Sequence, residues 1–512
     1  MPTRRNFLAA TALAALRPTF SSSASLPASS RPALASSLPI LLVDDQSILY
    51  RPGTKRTLHP LFRHQSNPLI KGGETPWARD IAFCSVSRNA SGSYQMWYQA
   101  YAGSTARDRT RRCTVCYAES DDGISWRRPK LDLFDFDGAT GTNIVLIANG
   151  GKSDRYGASV VVDPRDPNPV RRYKMVYFDF AKREGVEYPG LCVAFSPDGI
   201  HWTKHPDAPL LVASYGNKGE AVPLANDTTR PWAQPLAMSD ALDVFWDPIR
   251  EVFAIYGKMW IDDEAGNMYG KHAAGRTQSK DFIHWETPDI VIAPDEHDPP
   301  WVEFHTTPVF YHAGVYFACP QILNRSVNNG VMDIELATSR DGIHFTRPFR
   351  DTFFLPRNQG NHFDSGSVFT NASPVILDDE IRFYYGGYSA GATGPQEFVD
   401  QSGIGLATMK RDRFAGLRPI DKIAQITLRP LKLDRLNNLL VNANATNGSL
   451  RVEILDQTGR RIPGYTKEDA VPLQGDDLRH KAQWKNKQLS DLPPNDYIIR
   501  IHLDDAEVFA LG

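Results

Sequence analysis

Short runs in which apolar residues alternate with polar ones, or stand four or five together, recur along this chain. Thr114 to Ala118, Leu191 to Phe195, Ile334 to Thr338 and Gly405 to Met409 are examples. That period of two predicts β-strands, and helical periodicity is nearly absent. The first three runs lead into one repeated stretch: Asp121-Asp122-Gly123-Ile124-Ser125-Trp126, Ser196-Pro197-Asp198-Gly199-Ile200-His201-Trp202 and Ser339-Arg340-Asp341-Gly342-Ile343-His344-Phe345. Ser279-Lys280-Asp281-Phe282-Ile283-His284-Trp285 is a fourth copy, and Arg411-Asp412-Arg413-Phe414 reads as a decayed fifth. Asp bonds its own backbone in a tight turn, Gly supplies a positive φ, and the aromatic anchors the returning strand. The aromatics recur roughly 60 to 80 residues apart, longer than the ~40 to 50 of compact propeller repeats. Each period therefore holds a four-stranded blade and a long loop.

The same grammar locates an inner hairpin in each period. The first has Ile81 to Val86, Arg88 to Gly92 and Tyr94 to Tyr98; the second has Ala158 to Val162, Asp163 to Pro167 and Tyr173 to Phe178. The third is Ala241 to Trp246 with Val252 to Tyr256, the fourth Thr306 to Tyr311 with Val315 to Ala318, and the fifth Ser373 to Leu377 with Ile381 to Tyr385. An all-β, five-bladed β-propeller spanning residues 36–424 is the simplest architecture. Beyond it, Leu439 to Asn442, Leu450 to Leu455 and Tyr497 to Leu503 predict a C-terminal β-sandwich of jelly-roll type over residues 425–512.

The amino terminus changes the picture. Thr3-Arg4-Arg5-Asn6-Phe7-Leu8, then apolar Ala9 to Leu16, reads as a twin-arginine export signal, with Ala33-Leu34-Ala35 as a cleavage site and residues 1–35 as signal and linker. A periplasmic or secreted protein is expected. No other apolar run approaches the ~20 residues of a membrane span. The 512 residues carry a formal net charge of −2, which speaks against nucleic acid and against a polybasic membrane surface. The 5 cysteines are too few for a disulfide framework, and Cys113-x-x-Cys116, lacking a second pair, is read as buried thiols rather than a metal site.

In a propeller the beginnings of the inner strands face one mouth of the central tunnel. Just before them stand Trp77-Ala78-Arg79-Asp80, Asp154-Arg155-Tyr156, Ser239-Asp240 with Asp243 beyond, Trp301-Val302-Glu303-Phe304-His305, and His362-Phe363-Asp364. Every blade offers a carboxylate. Two carboxylates across a cleft can divide acid and base work on a glycosidic bond, while a third raises the acid's pKa by like charge. The competing reading for any single acid is a strand-end turn or an ion pair with Arg79, Arg155 or Arg325. The repeated turns are structural, and their histidines His201, His284 and His344 are expected to face solvent.

These features resemble the five-bladed propeller glycosidases, the superfamily of glycoside hydrolase families 32, 43 and 68. The chain is most similar to exported bacterial family-32-like proteins. The Asn67-Pro68 lead-in, the Ser-x-Asp-Gly-x-x-aromatic turns, the strand-opening acids and the terminal sandwich carry the resemblance, over roughly residues 40 to 512. It implies Asp80 as base or nucleophile, Asp154 as transition-state stabiliser, and Asp240 or Glu303 as general acid. Trp77, Arg79, Tyr156, His305, His362 and Asp364 would bind substrate. Family 32 opens with Trp-x-Asn-Asp-Pro-Asn-Gly, of which Trp77-Ala78-Arg79-Asp80 keeps a Trp and an Asp; its Arg-Asp-Pro recurs as Arg165-Asp166-Pro167, but in a hairpin.

The expectation is an exported glycosidase acting on a carbohydrate, with furanosides such as fructosides or arabinosides in view. A glycoside phosphorylase would need two or three basic residues facing the acid. A non-catalytic glycan-binding propeller would show its acids pointing apart or salt-bridged. The reading calls for no cofactor and no metal ligand set, and leaves a structural or tunnel-bound Ca2+ open. Nothing in the chain specifies an oligomeric state.

Overall fold

The computed structural model describes residues 39–102, 112–147, 157–183, 186–212, 238, 240–266, 270–327, 330–392, 401–433 and 436–512. The export signal, Asp154, Tyr156 and Ser239 lie outside the described residues. Among those described, the chain is all-β, with two single-turn 3-10 helices at Pro169–Arg171 and Leu489–Asp491. No helix among them is long and apolar enough to cross a membrane.

Successive antiparallel sheets follow one plan. Asp80–Arg88, Tyr94–Ala102, Arg112–Ser120 and Ile144–Ile147 form the first. Ser159–Val162, Tyr173–Arg183, Val186–Ser196 and Thr203–Lys204 form the second, with Leu211–Val212 added to the third strand. The third is Leu242–Asp247, Val252–Ile261, Lys271–Ser279 and Asp289–Ile292; the fourth is Val309–His312, Val315–Ala318 and Ala337–Ser339. A nine-stranded sheet takes Val302–Phe304, Gln321–Asn324 and Val331–Ile334, then passes through a parallel contact to Ser367–Phe369, Glu380–Tyr388 and Ser402–Lys410.

The innermost strands are stitched to one another by hydroxyls bonding neighbouring backbone. Val160 N donates to Ser85 Oγ at 3.0 Å, Val244 N to Ser159 Oγ at 3.1 Å, and Val86 N to Ser373 Oγ at 3.1 Å. The first sheet is thus bonded both to the second and to the last, which is a propeller-like closure. Asn67 completes it from the lead-in: its side chain mimics a strand by donating to Leu406 O at 2.9 Å and accepting from Leu406 N at 2.8 Å.

The repeated turns also work between sheets. In the second, Ser196 Oγ accepts from Gly199 N at 2.9 Å, and Asp198 Oδ1 accepts from the amides of Ile200 and His201, each at 2.8 Å. Gly199 O then receives Trp97 Nε1 of the first sheet at 2.6 Å. Tyr384 reaches Gly123 O, and Tyr256 reaches Gly342 O, in the same way. His201, His284 and His344 are exposed and bond the turn aspartate. In the last turn Asp412 itself takes the positive φ, and Phe414 stacks on Phe317 at 4.0 Å.

The terminal strands make one ten-stranded sheet whose main path runs Ile48–Tyr50, Ile423–Leu428, Asp496–Asp504, Leu440–Asp456, Glu507–Leu511, Ala415–Pro419, Thr54–Leu58, with Ile40–Leu41 added to Glu507–Leu511, Leu431–Lys432 to Asp496–Asp504 and Leu473–Lys481 to Leu440–Asp456. Strands that the sequence pattern assigned to the propeller, at 40–58 and 415–419, therefore pair here. The reason is local. Ile48, Leu417, Ala424 and Ile426 have apolar faces that join Val441, Val452, Ile499 and Val508 in one core, which no propeller sheet offers.

Candidate functional site

Strand register fixes which ends meet. Asp80 opposes Tyr101, Trp260 opposes His272, and Glu303 opposes Leu323. The start of each inner strand, the end of the second strand and the start of the third therefore lie at one end, opposite the Asp-Gly turns. At this end the third sheet and the strands beside it gather buried charge. Asp240 is buried and ion-paired with the buried ammonium of Lys258. Glu303, also buried, receives Arg325 Nε at 2.8 Å and Nη2 at 3.3 Å, and the His272 backbone N at 3.2 Å, while His272 Nδ1 lies 2.7 Å from its Oε2.

These partners settle the protonation of the group. Burial alone would raise the Glu303 carboxyl, but the His272 and Arg325 contacts outweigh it and hold its pKa at about 2. Burial, reinforced by the Lys258 and Arg325 charges, pushes His272 down to about 4 against the pull of Glu303. His305, buried beside the same cations, is held well below the ordinary imidazole value. At neutral pH Glu303 is thus an anion flanked by two uncharged imidazoles. His305 bonds Gln321 Oε1 through Nδ1 at 3.3 Å and stacks over Phe83, which sits at a bulge in its strand with φ +29°.

Deeper in the ring, Asp243 is buried and accepts from Ala372 N at 3.4 Å; desolvation pushes its carboxyl up to about 8. It is a neutral acid in the axis, three residues below Asp240.

The strand-opening residues do not all converge. Asp80 is buried as the first residue of its strand. Trp77 is turned into the first sheet, donating from Nε1 to Asn143 Oδ1 at 2.9 Å and packing on its apolar core; it is a structural anchor. Arg79 and His362 are exposed. Asp364 is fully buried and bound by Arg63 Nε at 2.6 Å and Tyr385 OH at 2.9 Å, so it serves as an internal ion pair bracing the lead-in strand Phe62–Arg63. The pattern of inner strands missed Lys258, Trp260 and His272, which sit on the second and third strands. The available signal was a lysine between Gly257 and Met259 in an otherwise apolar run. Among the described residues no group of three or more His, Cys, Asp or Glu could hold a metal ion.

No protein-family model and no curated protein sequence matches the chain. Solved structures do. A glycosyl hydrolase from Bacteroides ovatus is 17% identical, with a TM-score of 0.44, over 71% of this chain and 97% of that one. A structure from the GH130 family of mannoside phosphorylases, which contains glycoside hydrolases that target β-1,2 mannosidic linkages in Candida mannan, is 18% identical. It aligns over 68% of this chain and 94% of that one, with a TM-score of 0.44. A thermostable family-43 glycoside hydrolase is 15% identical over 65% and 90%, at 0.40. At that level of similarity no residue role and no substrate passes from them to this chain.

Proposed function

We propose that this chain is an exported, five-bladed propeller enzyme that cleaves a glycosidic bond at the mouth holding Asp80, Asp240 and Glu303. The fifth blade is the Ser367–Phe369, Glu380–Tyr388 and Ser402–Lys410 part of the nine-stranded sheet. The observation that carries the reading is the collection of buried, oppositely charged side chains at one end of the inner strands. Burying Asp240, Lys258 and Glu303, with the more exposed Arg325 reaching Glu303 from the solvent side, is costly for folding, and perturbed buried charge of this kind clusters at functional sites. Glu303, held by three hydrogen-bond donors and the close His272 ring, stays ionised and cannot donate a proton. Of the two acid candidates that leaves Asp240, which takes the acid role when bound substrate parts it from Lys258 and it holds a proton, with Asp80 as base or nucleophile and Glu303 as the fixed anion that stabilises an oxocarbenium-like transition state. Furanosides such as fructosides and arabinosides are the first substrates to test.

The ion pairs Asp240–Lys258 and Glu303–Arg325 favour a second reading, a propeller that binds glycan without cleaving it. Lys258 and Arg325 are also the cations a phosphorylase needs, although each is already neutralised by its acid. One experiment separates the three. Asp80→Asn, Asp240→Asn and Glu303→Gln are assayed on aryl furanosides and pyranosides with and without phosphate. Loss of about 10²- to 10⁴-fold in kcat for Asp80→Asn and Asp240→Asn is expected. Unchanged hydrolysis in every variant removes the site. Binding without hydrolysis by the wild type selects the second reading, and sugar phosphate released only in phosphate selects the third.

A further inference from the structure

Trp260 and His272 face each other across the second and third strands of the third sheet, so both side chains leave the sheet on one face. Their rings meet edge to face with centroids 4.0 Å apart. His272 Nδ1 lies 2.7 Å from Glu303 Oε2. The contact is too poorly aligned to count as a hydrogen bond, but a bare nitrogen lone pair and a carboxylate oxygen repel at that distance, so the proton is placed on Nδ1. The ring is buried, with Lys258 on the strand of Trp260 and with Glu303, Arg325 and His305 facing it from the neighbouring strands. Two cations close by keep the ring uncharged, and Nε2 is left as a lone-pair acceptor.

That acceptor has no hydrogen-bond partner among the described residues. Neither has the Trp260 indole Nε1, and both atoms are buried. A folded chain rarely leaves a donor and an acceptor orphaned side by side, since each loses its water without return. A hydroxyl group answers both at once, accepting from the indole N–H while donating to the imidazole, and on a glycan it is the group that can do so in place of a water. The pair stands at the end of the strands that carries Asp240 and Glu303.

We propose that Trp260 and His272 together read a single hydroxyl of the bound glycan, making them specificity-determining residues of the mouth. This rests on the reading of the mouth as a glycan site, and it names what the substrate must present there: a free hydroxyl, not an ether, ester or deoxy carbon.

The test measures binding by calorimetry, so it does not depend on turnover. A methyl glycoside that binds the wild type is compared with its complete monodeoxy series on the wild type, Trp260→Phe and His272→Asn. The asparagine amide keeps a donor toward Glu303 and removes Nε2. In the wild type one deoxy position should lose about tenfold or more in affinity. Both variants should bind the parent glycoside that much more weakly and show no further loss at that same position. If the variants discriminate the deoxy series as the wild type does, the pair reads no ligand and a buried water satisfies it, and the proposal falls while the glycan site stands. A wild type that binds none of the panel overturns both. Should His272→Asn fail to fold, the Trp260→Phe arm decides alone.

Discussion

Among single residues Asp243 makes the clearest demand on pH. Its carboxyl is buried at the ring axis with Ala372 N as a donor, and desolvation lifts it to about 8, far above the ordinary ~3.9. The facing thiols of Cys84 and Cys319 are pushed upward as well, so the neighbourhood supplies no charge to stabilise an anion. Between pH 4 and pH 8 the folded chain keeps this proton while the unfolded chain has released it. The group therefore makes stability fall as pH rises through that window and level off above about 8. Asp243→Asn removes the slope: its Tm should match the wild type near pH 4 and exceed it by about 2 °C or more at pH 8. Parallel Tm-versus-pH curves would show that Asp243 ionises freely in the fold. This residue and Asp240 were legible in the sequence because both stand at the opening of an inner strand. Lys258 and His272 were not, because their role exists only once the second and third strands bring them to the acids.

At the scale of the element, the repeated turn combines a local device with a long-range one. The local part needs few residues and is written into Ser196, Asp198 and Gly199, which is why the period of the chain could be counted directly. Asp198 is held at about 2: burial would raise it, and the His201 amide and ring and the Ile200 amide more than offset that. The long-range part, Trp97 reaching Gly199 O from another sheet, leaves no local pattern and came only with the structure. It explains the glycine. Gly199 sits at φ +83°, and a Cβ there would lie 2.6 Å from Trp97 Cζ2. Gly199→Ala should cost about 2 to 4 kcal/mol, strain and overlap together. The third turn inverts the case. Phe282 adopts φ +69° and fills the inter-sheet space itself, fully buried against Phe195 and Phe253. Phe282→Gly relieves strain but empties that space, for a net loss of about 2 kcal/mol. Denaturant unfolding checks both. A stabilised Phe282→Gly would mean that backbone strain, not packing, dominates this turn.

For the whole molecule, the terminal sheet decides what can fold alone. The turns cease near residue 424, so a domain boundary there was a natural reading of the pattern. Pairings such as Ile40 with Leu511 and Thr57 with Gly416 join segments hundreds of residues apart, and no periodicity announces them. They interleave the chain. Ile48–Tyr50 and Thr54–Leu58 occupy the two ends of the sheet's strand order, while Ala415–Pro419 and Ile423–Leu428 lie inside it. Polar contacts fasten this sheet to the propeller: buried Arg413 donates to Asn442 Oδ1 at 2.8 Å and pairs with Asp476 at 2.6 Å, and Arg340 pairs with Asp44 at 2.7 Å. A fragment of residues 425–512 lacks Leu417 and Ile48 from its core and exposes unpaired strand edges. A fragment ending at 428 leaves Leu417, Ile426 and Leu428 uncovered. Neither should give a cooperative melt, whereas the full chain should unfold its propeller and terminal sheet in one transition, followed by circular dichroism and tryptophan fluorescence together. Cooperative folding of 425–512 by itself would show that the amino-terminal strands are guests in a sheet complete without them, and that the sheet is a module added to the propeller rather than the clasp that closes it.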